Sequence, residues 1–475
     1  MERAKRNFQL IKLLLSDFGA AVVAWIAFFG LRRYLLQEVS GGVPFKPDEL
    51  FSLGLAAVAI GGFWLGLYTL FGHYRAIFRK SRVRELVSLS QVAVLGCLIV
   101  FFALLLDDAG VHYYRAYYKT VTAYFLLHFV CASVTRLIAV TSIQRKVRRR
   151  EIAFNTLLIG ANARAAEVFR ELETYNRHLG LRFVGYVPVF DSPDPHLPRE
   201  LRNLGFYSRL PELVAEHQIE EVVIAIEPAE HKTIEEILAL LDEVSVRVSI
   251  LPDLYQILLG SVKVNHLFGT PLIEIKQDLL PVWQAVVKRM IDVVASAVFL
   301  LLFSPGYAAI ALMVRWSSPG PIFYGQERIG LGGLPFKIWK FRSMYVDAER
   351  AGPALSSDHD PRITRWGRFM RKVRLDELPQ FWNGVRGDMS LVGPRPERQF
   401  FIDQIVQHAP HYRHLHRVRP GITSLGQVKY GYASTVEEMV KRLRYDILYI
   451  ENMSLAMDFR VMLFTIKIIL EGRGK

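Results

Sequence analysis

Cysteine is scarce in this sequence: the 475 residues contain only 2, Cys97 and Cys131. Both lie inside long apolar runs, so we predict neither a disulfide framework nor a cysteine-based metal site. A complete G-x-G-x-x-G fingerprint is also missing, and no tyrosine stands four residues before a lysine. These two absences argue against a membrane-anchored nucleotide-sugar dehydratase or epimerase, an enzyme class that would need both patterns.

Acidic residues are outnumbered, because 45 Asp and Glu face 59 Lys and Arg and leave a formal net charge of +14. Such an excess attracts nucleic acids, anionic lipid headgroups or phosphorylated substrates. The chain also carries several apolar runs of membrane-spanning length. We therefore expect anionic membrane lipids and phosphorylated substrates as partners, and no nucleic acid.

Four apolar runs predict a transmembrane bundle: residues 10–31, 50–71, 86–106 and 121–140. Each has about 20 residues and few charges, which matches the hydrocarbon thickness of a bilayer. The first run is too long for a cleaved signal peptide, so we expect a retained anchor. Basic clusters precede the first run, separate the second from the third and follow the fourth. By the positive-inside rule both ends of this multi-pass bundle are cytoplasmic.

Residues 146–278 have the pattern of a Rossmann-like α/β domain. Residues 155–161, 183–190, 221–226 and 246–251 read as buried strands, and helical spacing follows the first and precedes the last. The glycine fingerprint is incomplete, because Gly160 stands alone in its turn. We therefore expect a structural or regulatory role rather than dinucleotide binding. Self-association through this domain would give a homodimer.

A fifth apolar run, residues 291–314, is interrupted near its middle by Ser304, Pro305 and Gly306. Proline removes a helix hydrogen bond and bends the segment. Basic residues flank the run on both sides, so a straight span would move the rest of the chain across the membrane. We therefore predict a re-entrant helix over about residues 288–315 that turns at Ser304-Pro305. The alternative is an ordinary kinked span. Beyond it, residues 318–333 read as turns and 336–347 as a strand or short helix.

Residues 362–374 contain six Lys or Arg and no acid. Asp360-Pro361 would cap and open a helix there. Five apolar residues of this run share about a third of the helical wheel: Ile363, Trp366, Phe369, Met370 and Val373. The pattern predicts an amphipathic helix in the membrane interface. Residues 461–470 predict a second one, because that apolar run is too short to span.

An acidic pair, Asp376-Glu377, stands directly behind this basic run. The cations would hold the pair ionised and draw an anionic substrate to it. Asp376-Glu377-Leu378-Pro379 can open a helix, whose positive end favours bound phosphate. One acid could then attack phosphorus while the other holds a metal. The alternative is a pair that only caps a helix.

Further polar residues favour chemistry on a phosphoryl group. An arginine held between two prolines is a pre-aimed phosphate ligand, and an aspartate close by in the sequence could support a metal or an arginine. The candidates are Lys340, Arg342, Asp388, Pro394, Arg395 and Pro396.

Residues from about 288 to 470 resemble the catalytic domain of the bacterial polyprenyl-phosphate sugar-1-phosphate transferases, the monotopic phosphoglycosyl transferases. The matching motifs are, in order, KRMIDV, LFSP, GPIFYGQERIG, FKIWKFRSM, LDELPQFWN, GDMSLVGPRP, RPGIT and DILYIENMSLAMDFRVM. The four spans and the α/β domain are similar to the long form of this family. The expected architecture is a bundle at residues 1–145, the α/β domain at 146–278, and a mainly helical catalytic domain at 279–475.

The resemblance implies transfer of a hexose 1-phosphate from a UDP-sugar to undecaprenyl phosphate with release of UMP, as the first membrane step of exopolysaccharide, capsule or O-antigen assembly. It also implies a protein of the bacterial inner membrane with its catalytic domain on the cytoplasmic face. It implies a ping-pong route in which Asp376 forms a phosphosugar-aspartyl intermediate and Glu377 helps to hold Mg²⁺. Lys340, Arg342, Arg371 and Arg395 match positions expected near the phosphates or the uridine.

The resemblance leaves two matters open. Many relatives follow RPGIT with GWAQV or GLWQV and an NGR-like turn, whereas this chain reads RPGITSLGQVKYGYAST. The sugar is therefore not predicted. The remaining alternative is a membrane scaffold with a lapsed site, against which the intact acid pair and its neighbouring cations argue.

Overall fold

The computed structural model describes most of the chain, and two compact units emerge from it. The described residues of 2–156 and 167–183 fall in the first unit, and the second contains residues 157–166 and the described residues from 184 onward. The described residues are 2–40, 47–75, 77–79, 81–105, 114–174, 179–189, 197–198, 201–226, 231–242, 244, 246–251, 273–275, 279–348, 360–431, 433 and 435–471.

Four long helices open the chain: α1 Glu2–Ser40, α2 Pro47–Leu70, α3 Arg82–Val100 and α4 Tyr114–Arg148. All four are long and apolar enough to cross a membrane, which confirms the predicted spans and indicates a membrane protein. Large aromatic residues fill their common core, among them Trp64, Tyr68 and Tyr124. The Trp64 indole donates a hydrogen bond of 2.8 Å to the Tyr124 hydroxyl, so the polar groups of these two rings are paired with each other.

A buried charge cluster lies inside these helices, and no local sequence pattern predicted it. Arg136 of α4 donates to both carboxylate oxygens of Asp17 in α1, at 3.0 and 2.7 Å. The same guanidinium contacts Glu85 of α3. Glu85 is 3.0 Å from the His73 ring nitrogen Nδ1. Buried charges persist when they are paired in this way, so the cluster fixes the helices relative to one another.

The α/β region is a five-stranded sheet in the order β2-β1-β3-β4-β5. Strands β3 and β4 pair in parallel and β5 pairs antiparallel to β4. The four predicted strands and the predicted second helix are confirmed. The elements are β1 Phe154–Ile159, α5 Ala163–Thr174, β2 Leu181–Val187, α6 Leu210–Glu216, β3 Glu221–Ile224, α7 His231–Leu241, β4 Arg247–Ile250 and β5 Ile273–Ile275.

Gly160 has a structural reason to be glycine. Its φ of +127° lies in a region that residues with a side chain avoid, and a Cβ there would overlap the Ala225 carbonyl. The backbone geometry of the turn between β1 and α5 and its close contact with Ala225 are therefore enough to explain the glycine.

A bent helix pair follows, α8 Val282–Leu302 and α9 Ser304–Ser317. The two axes diverge by 65°, and the break falls at the predicted Ser304-Pro305 position. The geometry is that of a broken span or of a re-entrant segment. The basic residues at its start also have partners within the protein: Lys288 donates to Asp458 at 2.6 Å, and Arg289 donates to the Gly384 and Val385 carbonyls.

Two predictions made for the residues that follow the bent helix pair are wrong. Residues 318–333, expected to be turns, contain strand β6 Phe323–Ile329, which pairs antiparallel with β7 Pro335–Phe341. The basic helix α10, Arg365–Lys372, begins later than expected. Its N-cap is Thr364, whose side chain accepts a hydrogen bond from the Gly367 amide, whereas Asp360 binds Arg362.

Most of the remaining elements contribute to one hydrophobic core, with residues such as Ile405, Leu415, Leu443 and Tyr449. Strands β8 and β9 pair in parallel. These elements are α11 Gln380–Arg386, β8 Ser390–Val392, α12 Gln399–His408, β9 Gly421–Thr423, α13 Leu425–Lys429, α14 Val436–Glu451 and α15 Leu455–Leu470. Helix α15 contains the apolar run predicted to form a second amphipathic helix, and Phe459 and Leu463 of it are exposed.

Candidate functional site

The acidic pair lies in a short 3₁₀ helix, Leu375–Glu377, between α10 and α11. The prediction that the pair opens a helix is therefore wrong by one turn, because α11 begins at Gln380 with Pro379 as its N-cap. Arg374, directly before the 3₁₀ helix, has left-handed backbone angles of φ 61° and ψ 19°. A non-glycine residue pays about 1 kcal/mol for that conformation, which turns the chain so that both acids follow closely on the arginine-rich helix.

Asp376 is buried, with 7% of its surface exposed. Its Oδ1 has no hydrogen-bond partner among the residues that the structure describes. Burial raises the pKa of its carboxyl and the neighbouring Glu377 charge adds to this, while Lys340, Arg371 and Arg374 act in the opposite direction. A buried acceptor without a partner is costly, so this oxygen is poised for an incoming group.

Glu377 is held by three cations. Its Oε1 accepts from Lys340 Nζ at 3.2 Å and from Arg395 Nη2 at 3.3 Å, and its Oε2 accepts from Arg374 Nη1 at 3.3 Å. Burial raises the pKa of this carboxyl, but the three cations outweigh it and hold the pKa well below its ordinary value. The two adjacent acids thus have opposite pKa shifts, a difference that their shared sequence neighbourhood did not reveal.

A cavity of about 400 Å³ opens onto the pair. Its walls come from β6, β7, α10, the residues after β8, and α14. Six of the predicted site residues line it: Lys340, Arg342, Arg371, Asp376, Glu377 and Arg395. A cavity of this size with several convergent cations suits an anionic small molecule or headgroup.

Arg342 and Asp388 have contacts that the sequence did not indicate. Arg342 donates to the carbonyls of Pro319 and Ser318, at 2.8 and 2.6 Å, and so holds the turn that follows α9. Asp388 accepts from the Asn383 side chain at 3.2 Å and does not line the cavity. Arg371 donates from Nε to the Ser343 hydroxyl at 2.9 Å.

Arg395 is aimed by an unusually close backbone contact. The amide of Gly421 donates to the Pro394 carbonyl at 2.9 Å, and that of Gly393 donates to Thr423 at 3.0 Å. A Cβ on Gly421 would overlap the Gly393 backbone, so only glycine fits. These backbone contacts hold the predicted Gly-Pro-Arg-Pro loop in place. Pro394 and Pro396 line a second, smaller cavity and not the main one.

Sequence reasoning missed an ion triad in the same wall. Glu397 accepts from Arg328 of β6 and from Arg442 of α14, each at 2.9 Å. All three residues line the main cavity. Burial raises the pKa of Glu397, but Arg328 and Arg442 outweigh it and lower the pKa. The only sequence signal was the position of Glu397 directly after the Pro-Arg-Pro run.

The bent helix pair contacts the segment that carries the acids. The Tyr307 hydroxyl of α9 donates a hydrogen bond of 2.6 Å to the Leu378 carbonyl. The Phe299 ring of α8 stacks on Phe381 of α11, with ring centroids 4.1 Å apart. One side chain from each helix of this bent pair therefore holds the backbone on the C-terminal side of Asp376 and Glu377.

The site fits a divalent cation of the magnesium type. Among the described residues no group of three or more His, Cys, Asp or Glu converges, which excludes a complete protein-built cage from that part of the chain. Mg²⁺ is more often held by one or two carboxylates together with water and substrate phosphates. Asp376 and Glu377 are two carboxylates of this kind, and Asp376 Oδ1 has no hydrogen-bond partner among the described residues.

Comparison with known proteins places this site in a family. Residues 283–472 match the family model described as bacterial sugar transferase, and residues 69–252 match a CoA-binding domain. The chain is 42% identical over 200 residues to a UDP-glucose:undecaprenyl-phosphate glucose-1-phosphate transferase of Caulobacter vibrioides, covering 42% of this chain and 72% of the relative. This chain belongs to the bacterial sugar transferase family.

Two further relatives differ in the sugar that their names state. The chain is 42% identical over 217 residues to UDP-N-acetylgalactosamine-undecaprenyl-phosphate N-acetylgalactosaminephosphotransferase of Aeromonas hydrophila, covering 46% of this chain and 51% of the relative. It is 35% identical over 251 residues to the UDP-glucose:undecaprenyl-phosphate glucose-1-phosphate transferase of Escherichia coli K12, covering 52% and 54%. These matches span about half the length of the two relatives.

Proposed function

We propose that this protein transfers a hexose 1-phosphate from a UDP-sugar to undecaprenyl phosphate and releases UMP. The observation that carries the proposal is Asp376, a buried carboxylate in a cation-lined cavity of about 400 Å³, with one oxygen that no described residue contacts by a hydrogen bond. Relatives named as undecaprenyl-phosphate sugar phosphotransferases support the same reaction.

In the first half-reaction an Asp376 oxygen attacks the phosphorus that carries the sugar. A phosphorus–oxygen bond to the carboxylate forms and the bond to the UMP oxygen breaks, so that UMP leaves as an anion. Burial removes water from Asp376, which leaves the carboxylate less solvated and more nucleophilic. The cations Lys340, Arg374 and Arg395 offset the diphosphate charge that would otherwise repel the attacking acid.

In the second half-reaction an oxygen of undecaprenyl phosphate attacks the same phosphorus. The aspartyl–phosphorus bond breaks, the sugar 1-phosphate passes to the lipid, and Asp376 is restored as a carboxylate. Glu377 stays ionised throughout because its pKa is held low, and we assign it to help hold Mg²⁺. When bound, that ion would supply positive charge to the phosphate oxygens.

The membrane arrangement follows from the same proposal. We infer that the α8–α9 pair enters the bilayer and returns, so that the site faces the cytosol, where nucleotide sugars are made. Exposed apolar residues next to the bend of this pair, including Leu301 and Leu302, support burial in lipid. The acceptor phosphate would then meet Asp376 at the depth of the lipid headgroups.

The reaction is tested with purified protein in lipid nanodiscs that contain undecaprenyl phosphate. UMP release is measured with UDP-glucose, UDP-galactose and their two N-acetylated counterparts, with the Asp376→Asn variant as control. We expect one donor to release UMP in the wild type alone. Absence of UMP release with every donor would contradict the proposal and favour a non-catalytic scaffold.

The topology has its own test. Cys97 and Cys131 are replaced by alanine, and single cysteines are introduced at the exposed positions Val286 and Trp316. A membrane-impermeant maleimide should label both sites from the cytosolic side only. Labelling of the two sites from opposite sides would mean that the helix pair crosses the membrane.

A further inference from the structure

His414 joins two parts of the second compact unit. It lies in a 3₁₀ helix, Pro410–Arg417, that packs against the core of the catalytic region. Its Nδ1 is 3.0 Å from Asp242 Oδ2, directly after helix α7 of the α/β region. Its Nε2 is 2.8 Å from Glu451 Oε1, at the end of α14. Ionised carboxylates only accept hydrogen bonds, so the ring donates from both nitrogens and is an imidazolium.

The charges around this ring favour the protonated form. Burial lowers the pKa of His414, but the hydrogen bonds to Asp242 and Glu451 outweigh it and raise the pKa to about 9. Arg417, 3.7 Å from the other Asp242 oxygen, acts in the opposite direction. We call these four residues, His414, Asp242, Glu451 and Arg417, the His414 clasp. At neutral pH the clasp is closed.

The opposite side of the same 3₁₀ helix packs behind the loop that carries Arg395. Tyr412 and Leu415 are buried, and they line a small cavity together with Pro394, Arg395 and Pro396. Arg395 in turn donates to Glu377. The 3₁₀ helix therefore contacts the α/β region through His414, and it lies next to the Arg395 loop through Tyr412 and Leu415.

The chain that leaves this helix is tied to the same loop by its backbone. The Pro420 carbonyl accepts from the Ser390 amide at 2.9 Å, and the Gly421 amide donates to Pro394 at 2.9 Å. The contact between Gly393 and Gly421 has no room for a side chain. Because the contact is so tight, a shift of the helix is passed to the Arg395 loop instead of being absorbed by loose packing.

We propose that His414 is a positioning residue. Its contact with Asp242 of the α/β region sets the position of the Arg395 loop, and therefore how Arg395 binds the donor diphosphate. The inference rests on the proposed function for the meaning of Arg395, but the coupling itself is a property of the fold. The described residues of the α/β region do not line the cavity, so this coupling would give the region an indirect control over donor binding.

The test uses two matched substitutions in the full-length protein in nanodiscs. Asp242→Asn and Glu451→Gln each remove one negative charge from the same imidazolium, but only Asp242 belongs to the α/β region. We expect Asp242→Asn to raise the KM for the UDP-sugar about fivefold, which is the size of the net contribution of one ordinary hydrogen bond. The kcat should change less than twofold, and Glu451→Gln should leave KM near the wild-type value. Equal KM changes in the two variants, or an unchanged KM in Asp242→Asn, would overturn the proposal.

A pH profile separates positioning from general stability. His414→Gln cannot lose a proton, so the ratio of its KM to the wild-type KM should fall toward one as the pH rises past about 9, where the wild-type clasp opens. A ratio that stays constant from pH 7 to 10 would count against His414. Taking the ratio cancels titrations that both proteins share.

Amide hydrogen exchange makes the result independent of turnover. Exchange at residues 393–397 and 418–421 is compared between the two matched variants. We expect it to be faster in Asp242→Asn than in Glu451→Gln, and equal rates would overturn the coupling. If the wild type released no UMP from any donor, the proposed function would fail, while this measurement would still decide the coupling.

Discussion

Two buried charge clusters in this protein have opposite designs. In the apolar helices, Asp17 and Glu85 share Arg136 in a surround of packed aromatic rings. In the catalytic region, Asp376 and Glu377 face more cations than there are acids, beside a cavity of about 400 Å³. Every oxygen of Asp17 has a donor, whereas Asp376 Oδ1 has none among the described residues.

The difference shows that burial of charge does not by itself mark a functional site. A satisfied cluster fixes structure, because removing a partner leaves an uncompensated charge in an apolar surround. An incompletely satisfied cluster next to open volume retains binding capacity for a ligand. Substitutions in the two clusters should therefore affect different measurements, stability in one and turnover in the other.

The largest effect is expected for Asp376→Asn, which removes the proposed nucleophile with little change in shape. Turnover should fall by at least about a thousandfold, as for loss of other covalent nucleophiles. UMP release and mass spectrometry for a phosphosugar adduct measure it. The control is Asp403→Asn, an exposed acid outside the cavity. An adduct that persists in Asp376→Asn would refute the assignment.

Arg136→Met should instead destabilise the fold. Breaking a buried pair costs about 3–5 kcal/mol, because Asp17 and Glu85 would be left uncompensated. Denaturant or thermal unfolding in detergent measures the loss, with the exposed Arg148→Met on the same helix as control. We expect kcat per folded molecule to stay within a factor of about two. A stable Arg136→Met protein with impaired turnover would break the comparison.

Lys340→Met should change how Glu377 titrates. The wild-type pKa of Glu377 is held low, so this acid contributes stability above its unfolded pKa of about 4.3, which is lost as pH falls through the folded value. Without Lys340 the folded pKa rises, and the acid limb of the pH–rate profile should move to higher pH. We expect turnover at pH 7 to drop by about 10- to 100-fold. An acid limb that does not move would exclude Lys340 as the partner that controls Glu377.

Tyr307→Phe tests whether the hairpin positions the acid pair. The change removes only the hydroxyl that donates to the Leu378 carbonyl. We expect a loss of about three- to tenfold in kcat with little change in KM, in line with one hydrogen bond. Ser304→Ala is the matched control, because its hydroxyl bonds to the Leu301 carbonyl within the same hairpin. Similar kcat values in both variants would mean that the hydroxyl of Tyr307 does not position the pair.

The smallest effect concerns stability and pH at His414. The pKa of His414 in the folded protein is raised to about 9. Its contribution to folding stability is therefore complete below the unfolded pKa of about 6.5 and is lost as pH rises through about 9. The wild type should therefore lose more of its melting temperature between pH 6.5 and 9.5 than Asp242→Asn does. Parallel melting curves for the two proteins would contradict this assignment.

The sequence contained enough information for the elements whose signals are local. Hydropathy located the four long helices, alternation and apolar runs located the strands of the α/β region, and Ser304-Pro305 located the bend. The acid pair stood out because a run of cations precedes it. Each of these features depends on residues within one turn or one strand.

The missed features depend on residues far apart in the chain. Arg136 and Asp17 are separated by 119 positions, and no local pattern links them. Arg342 lines the cavity as a predicted site residue, but its two backbone acceptors lie 23 and 24 positions earlier and could not be foreseen. Strand β6 looked like a turn because glycine and proline surround it, and pairing with β7 overrides that composition.

The close contact between Gly393 and Gly421 limits how the donor preference could be re-engineered. In a library that randomises either glycine, most variants could not form this backbone contact, because any Cβ there overlaps backbone atoms. Ala433 and Met439 also line the cavity, and neither is a glycine held against a neighbouring backbone. Variation at those two positions would let a selection explore new sugars while the frame that aims Arg395 is inherited intact.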